Sequence, residues 1–116
     1  MGYRSVVKVL ITSDSPALIN KAYKMIPKKL FSEYNWKEND FRKDLCRIEF
    51  HAEYVKWYNG YEDVELFNKW MSEVEELLGE QGGIHFVRIG EDISDVEENA
   101  FGSPFEYINI CRYSEF

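Results

Sequence analysis

The residue types best suited to hold a metal or move a proton are few in this chain: His51, His85, Cys46 and Cys111. Metal sites built from such side chains use close spacings such as C-x-x-C or H-x-x-x-H, and none occurs here. Cys46 and His51 also fall on opposite parities of one alternating segment, so a strand would point them to opposite sides. His51 stands among Arg47, Glu49 and Glu53 and reads as a surface or half-buried structural histidine. General acid–base work would require a partner and a cleft, and the sequence displays neither. No G-x-S-x-G, P-loop or G-x-G-x-x-G motif is present. Gly79, Gly82 and Gly83 follow a helical pattern instead of opening one, so they do not cradle phosphate. The expectation is a non-enzymatic protein with no cofactor and no resident metal.

Carboxylates are the other chemically expressive group. Glu91, Asp92, Asp95, Glu97 and Glu98 form an oxygen-rich run, but the EF-hand order of ligands and glycine is missing. The run reads as a solvated acidic loop or a protein-docking surface. Charge is also distributed unevenly along the chain. Residues 1–47 carry ten Lys/Arg against five Asp/Glu, whereas residues 48–116 carry four against sixteen, and the net charge is −7. Such a split steers association and repels anions from the second half. It argues against direct nucleic-acid or anionic-membrane binding, which needs Lys and Arg. It favours a partner with a basic surface.

The elements that must carry these groups follow from periodicity. Segment 3–12 is rich in β-branched residues on both parities and predicts a central strand. Ser15 and Pro16 mark a helix start, followed by the stripe Leu18, Ile19, Ala22, Met25 and Ile26. Lys21, Lys24 and Lys28 lie on another face. Segment 32–43 is polar with embedded aromatics and reads as a long loop. Segment 45–54 alternates: Cys46, Ile48, Phe50, Ala52 and Tyr54 against Leu45, Arg47, Glu49, His51 and Glu53. Segment 62–79 is the strongest helix, with Val64, Phe67, Trp70, Met71, Val74, Leu77 and Leu78 recurring at three and four, and Gly79 placed to stop it. Glu65 precedes Lys69 in the stabilising order, whereas Glu75, Glu76 and Glu80 sit at the end of the helix dipole that disfavours acids. A short strand is expected over 84–89, an acidic connection with a helical turn capped by Ser94 over 90–102, and a last strand over 105–113. The predicted fold is α+β: elements in the order β-α-β-α-β-β, a four-stranded sheet, and two amphipathic helices on one face. The basic edge of the first helix and the acidic edge of the second are expected to complement each other.

The chain has 116 residues, 45% apolar and 16% aromatic, which suits one domain spanning 1–116 with a core that needs no staples. Cys46 and Cys111 read as reduced thiols packed as small hydrophobes. Residues 1–12 lack the features of a signal peptide, and no run reaches the roughly 18 apolar residues of a membrane span. A cytoplasmic location is expected, the host cytoplasm if the chain is phage-encoded, with the oligomeric state a monomer or homodimer.

One stretch combines anchors with a turn: Lys56-Trp57-Tyr58-Asn59-Gly60-Tyr61-Glu62-Asp63-Val64. Aromatics beside a turn serve either as binding anchors or as a staple between helix entry and core. The start Met1-Gly2-Tyr3-Arg4-Ser5, the Lys56-Trp57-Tyr58-x-x-Tyr61-Glu62-Asp63-Val64 segment and Phe86-Val87-Arg88-Ile89-Gly90-Glu91-Asp92 resemble a group of small uncharacterised proteins of tailed phages and prophages. That resemblance implies context and no activity. Small acidic phage proteins outside replication and the virion often bind and disable a host protein, anti-CRISPR and other anti-defence proteins being the obvious class. The expected function is therefore inhibition of a host nucleic-acid-handling complex through an acidic, nucleic-acid-mimicking surface. Its candidate residues are Glu73, Glu75, Glu76, Glu80, Glu91, Asp92, Asp95, Glu97 and Glu98, with Trp57, Tyr58 and Tyr61 as anchors. The competing expectation is a nucleotide or other small-ligand binder using the wetter sheet face, through Arg47, His51, Arg88, Tyr107, Asn109 and Tyr113.

Overall fold

The computed structural model describes residues 4–34, 36–58, 60–92 and 94–102. Five strands and three helices follow one another: β1 (Ser5–Ser13), α1 (Pro16–Lys24), the single-turn α2 (Lys29–Ser32), β2 (Phe41–Lys43), β3 (Arg47–Val55), α3 (Glu62–Leu78), β4 (Gly82–Gly90) and β5 (Val96–Gly102). The sheet runs β2-β3-β1-β4-β5, with every neighbouring pair antiparallel. β3 and β4 flank β1 and are joined through α3, while β1 reaches β2 through α1 with β3 between them. This is the split β-α-β order of elements seen in ferredoxin-like sheets, with β5 added.

One parity of the sheet meets the helices. Val7, Val9 and Ile11 of β1 pair with Ala52, Phe50 and Ile48 of β3, and Val9 and Ile11 with Phe86 and Ile84 of β4. Directly opposed residues share a face, so these side chains form one apolar floor. Ile19 and Ala22 of α1, Leu30 of α2, and Phe67, Trp70, Met71, Val74 and Leu78 of α3 close over it. Trp70 donates from Nε1 to the Ala22 carbonyl at 3.0 Å, which ties α3 to α1 with the indole polar group satisfied inside the core. Ser15 caps α1 as expected, its side chain accepting from the Leu18 N–H at 3.4 Å with Pro16 at the first helical position. α3 ends at Gly79, whose φ of +54° is a conformation that residues with a Cβ rarely adopt.

The α+β class agrees with the sequence reading, but among the described residues the sheet, antiparallel throughout, has five strands rather than four and the helices number three rather than two. Three segments account for the differences among the described residues. Lys29–Ser32, just past Pro27, is a separate single helical turn and supplies the third helix. Phe41–Lys43 forms a strand too short for alternation to register, inside the stretch read as a loop. Val96–Gly102 is a strand and not a helical turn. Its acids are drawn into pairing by side chains on β4: Arg88 lies opposite Glu97, and His85, which stands opposite Ala100, reaches diagonally to Glu98 two pairs along. The strand expected over 105–113 lies outside the described residues.

Three local expectations are also corrected. Among the described residues no ion pair joins Lys21, Lys24 or Lys28 to an acid of α3, so the helix edges do not neutralise each other. Glu65 accepts from the Gly60 N–H at 3.1 Å in place of pairing with Lys69. Cys46 is exposed just before β3 begins, its carbonyl accepting from the Ser13 N–H, so it is not a packed thiol. Cys111 lies outside the described residues. No helix among the described residues is long and apolar enough to cross a membrane.

Candidate functional site

The aromatic stretch before α3 separates into two parts. Trp57 is half-buried: its ring meets Phe67 edge-on at 5.4 Å and leans on Trp36 and Phe86 at 5.8 and 6.2 Å. It joins helix entry to core. Tyr58 and Tyr61 pack edge to face at 5.1 Å, and Tyr61 keeps 45% of its surface exposed, a large aromatic offered to solvent.

The acids also divide. At the end of α3 and the turn after it, Glu73, Glu76 and Glu80 are exposed and Glu75 is half-buried, with no ion pair to any of them among the described residues. The acids around β5 are engaged. Arg88 donates to both oxygens of Asp95, at 2.9 and 3.2 Å, to Glu97 at 3.1 Å and to Ser5 Oγ at 3.1 Å. The hydrogen bonds to Asp95, and secondarily to Glu97, hold the Arg88 guanidinium still more firmly protonated than usual against the opposing effect of burial. Glu98 Oε2 lies 2.5 Å from Nε2 of His85, which is 1% exposed. An ionised Glu98 requires the tautomer with hydrogen on Nε2. Asp92 accepts from the backbone and hydroxyl of Ser94, which lowers its pKa below the ordinary carboxylate value. Glu91 is exposed. Glu97 and Glu98, being neighbours on a strand, face opposite sides of the sheet. The candidate acids are thus not one surface.

The residues considered for ligand binding on the wetter sheet face are also split. His51 pairs across β1 with Lys8, whereas Arg88 pairs with Val7 on the face the helices cover. Arg47 lies within 3.4 Å of Glu49 and 3.6 Å of Asp44. Tyr107, Asn109 and Tyr113 lie outside the described residues.

A concavity appears elsewhere. A cleft of about 710 Å³ opens between the segment 36–40, the end of β3 and the entry to α3. Tyr34, Trp36, Trp57 and Tyr61 contribute aromatic walls; Arg4, Lys37 and Lys56 contribute cations; Asp40, Glu53 and Asp63 contribute acids. Trp36 fixes the outer wall. It stacks on Phe50 at 5.6 Å and donates from Nε1 to Asp63 at 3.0 Å, pinning the loop to the first turn of α3. Tyr34 donates to Glu62 at 2.5 Å, and this hydrogen bond, helped by burial, pushes the phenol up to about 12. Burial raises the Asp40 carboxyl above its ordinary range, with Lys37 and His51 pulling the other way. Among the described residues no group of three or more His, Cys, Asp or Glu side chains is arranged to hold a metal ion.

Sequence reasoning picked out Trp57, Tyr61 and His51 around this cleft and missed Arg4, Tyr34, Trp36, Lys37 and Asp40. The available signal was two aromatics, Tyr34 and Trp36, in an otherwise polar run, where solvent alone gives no reason for them. Comparison with protein-family models, with curated proteins and with solved structures finds no match.

Proposed function

We propose that this protein is a non-catalytic inhibitor of phage type that binds a host protein bearing a basic surface, a nucleic-acid-handling defence complex being the class its charge fits. One observation carries the reading. Glu76 and Glu80 are exposed, unpaired among the described residues, and stand at the end of α3, where the helix dipole opposes negative charge; exposed Glu73 lies about one turn earlier on the same side of the helix. Acids kept where they weaken their own helix are explained by a cation that arrives from outside. The engaged acids Asp95, Glu97 and Glu98 hold β5 in place, so the contact surface narrows to the end of α3, with exposed Glu91 a further candidate. Tyr61, at the opposite end of α3, is not part of that patch.

The test is affinity capture from host lysate, followed by measurement on the purified partner. The triple substitution Glu73→Lys, Glu76→Lys, Glu80→Lys should weaken binding at least tenfold, and binding of the parent should fall steeply between about 0.1 and 0.5 M salt. A double-stranded DNA competitor should displace the protein. Binding that is indifferent to these acids, to salt and to DNA rules the reading out.

A further inference from the structure

The cleft beside β3 has an unusual lining: Phe50 and Ala52 from one parity of the strand, and His51 and Glu53 from the other. Successive residues of a strand point to opposite faces, so a cavity lined by both parities lies at the strand's edge. The pairing record agrees. β2 accompanies β3 only over Ile48 to Phe50, whereas β1 accompanies it from Arg47 to Val55. Among the described strands nothing pairs with residues 51–55 on the β2 side. The β1–β3 register also shifts there, with Ser5 opposite Val55 and Val7 opposite Ala52, so β3 carries an extra residue in this stretch. Such bulges bend a strand and recur next to binding sites.

We propose that this edge receives an extended peptide from a partner protein, added as a strand in line with β2 along residues 51–55. The row is about 16 Å long at roughly 3.3 Å per residue, enough for about five peptide residues. Main-chain hydrogen bonds supply the affinity and alternate side chains the selectivity. The two sides of the cleft differ. Side chains turned toward the helices meet Phe50, Trp36 and Trp57, which suits an aromatic or branched apolar residue. Side chains turned the other way meet a polar wall. Charge complementarity chooses the flanks. Of the cations lining the cleft, Lys37 and Lys56 are exposed with no ion pair among the described residues, so they are open to an acid arriving from outside. The occupant is thus an extended segment alternating apolar and polar residues, with an acidic residue beside that run. This site is separate from the acidic end of α3.

A displayed library of random nine-residue peptides, selected on the full chain, tests the proposal. Enriched peptides should alternate apolar with polar residues and carry at least one Asp or Glu. Binding of an enriched peptide should slow hydrogen exchange at alternate amides within 51–55. It should be abolished by N-methylation of alternate peptide amides, and weakened at least fivefold by Lys37→Glu with Lys56→Glu. Circular dichroism and a thermal melt confirm that the double variant folds. No enrichment overturns the proposal, as does binding that ignores N-methylation or leaves 51–55 unprotected. If exchange at 51–55 is instead slowed by raising the concentration of the chain alone, with a dimer in sedimentation, the occupant is a second copy and the peptide assignment fails. Lys37 and Lys56 would then be charges that limit edge pairing.

Discussion

Asp40 shows how a single carboxyl records its surroundings. Burial raises its folded pKa, and Lys37 and His51 only partly offset that effect. The native state therefore holds the proton more tightly than the unfolded chain does. Below the unfolded value near 3.8 the neutral acid is accommodated without penalty; as pH rises through the raised folded value, that stability is lost. Asp40→Asn keeps the neutral shape at every pH. The variant should match the parent at pH 3 and exceed it at pH 7, read as urea midpoints across that range. A variant less stable than the parent at pH 7 would show that attraction to Lys37 and His51 outweighs burial. None of this was legible in the sequence, where Asp40 was one acid in a polar run. Phe67 is the opposite case. Its helical spacing marked it as core, and it is fully buried against Phe50, Trp36, Trp57 and Trp70.

At the level of elements, the patterns that could be read were the ones long enough to repeat. α1 and α3 announced themselves by apolar residues three and four apart, and β1 and β3 by β-branched content and alternation. β2 was hidden because three residues hold little more than one repeat of a two-residue period. β5 was hidden because its acids carry no strand preference of their own and owe their place to Arg88 and His85 on the neighbouring strand. The cleft was out of reach for a related reason: its walls come from four separate stretches of chain that only the sheet order brings together. The junction of α3 with β4 is fixed by a close approach. A Cβ added at Gly82 would stand 2.1 Å from the Thr12 carbonyl oxygen and 2.9 Å from the Ser13 Cα, both backbone atoms that cannot turn aside. Gly82→Ala should therefore cost about 1–3 kcal/mol in urea unfolding. A loss well below 1 kcal/mol would mean that the β1–β4 pairing slides apart easily at this end.

Across the whole molecule, acids outnumber cations by seven, and the basic side of α1 does not answer the acidic end of α3. Self-repulsion should therefore weaken the fold at low ionic strength. Raising salt from about 0.02 to 0.3 M should raise the melting temperature by a few degrees, equivalent to about 1 kcal/mol or less. A fall over the same range would mean that the ion pairs of Arg88 with Asp95 and Glu97 matter more to the fold than the excess of acids. The central position of β1 has one more consequence. Ser5 pairs with Val55 on one side and with Gly90 on the other, so the innermost strand waits for partners made much later. On the ribosome, β1 emerges early with its apolar residues uncovered, and its second edge stays open until β4 has left the exit tunnel. Completion of the sheet therefore waits on contacts distant in sequence, and folding of this domain should be slow for its size.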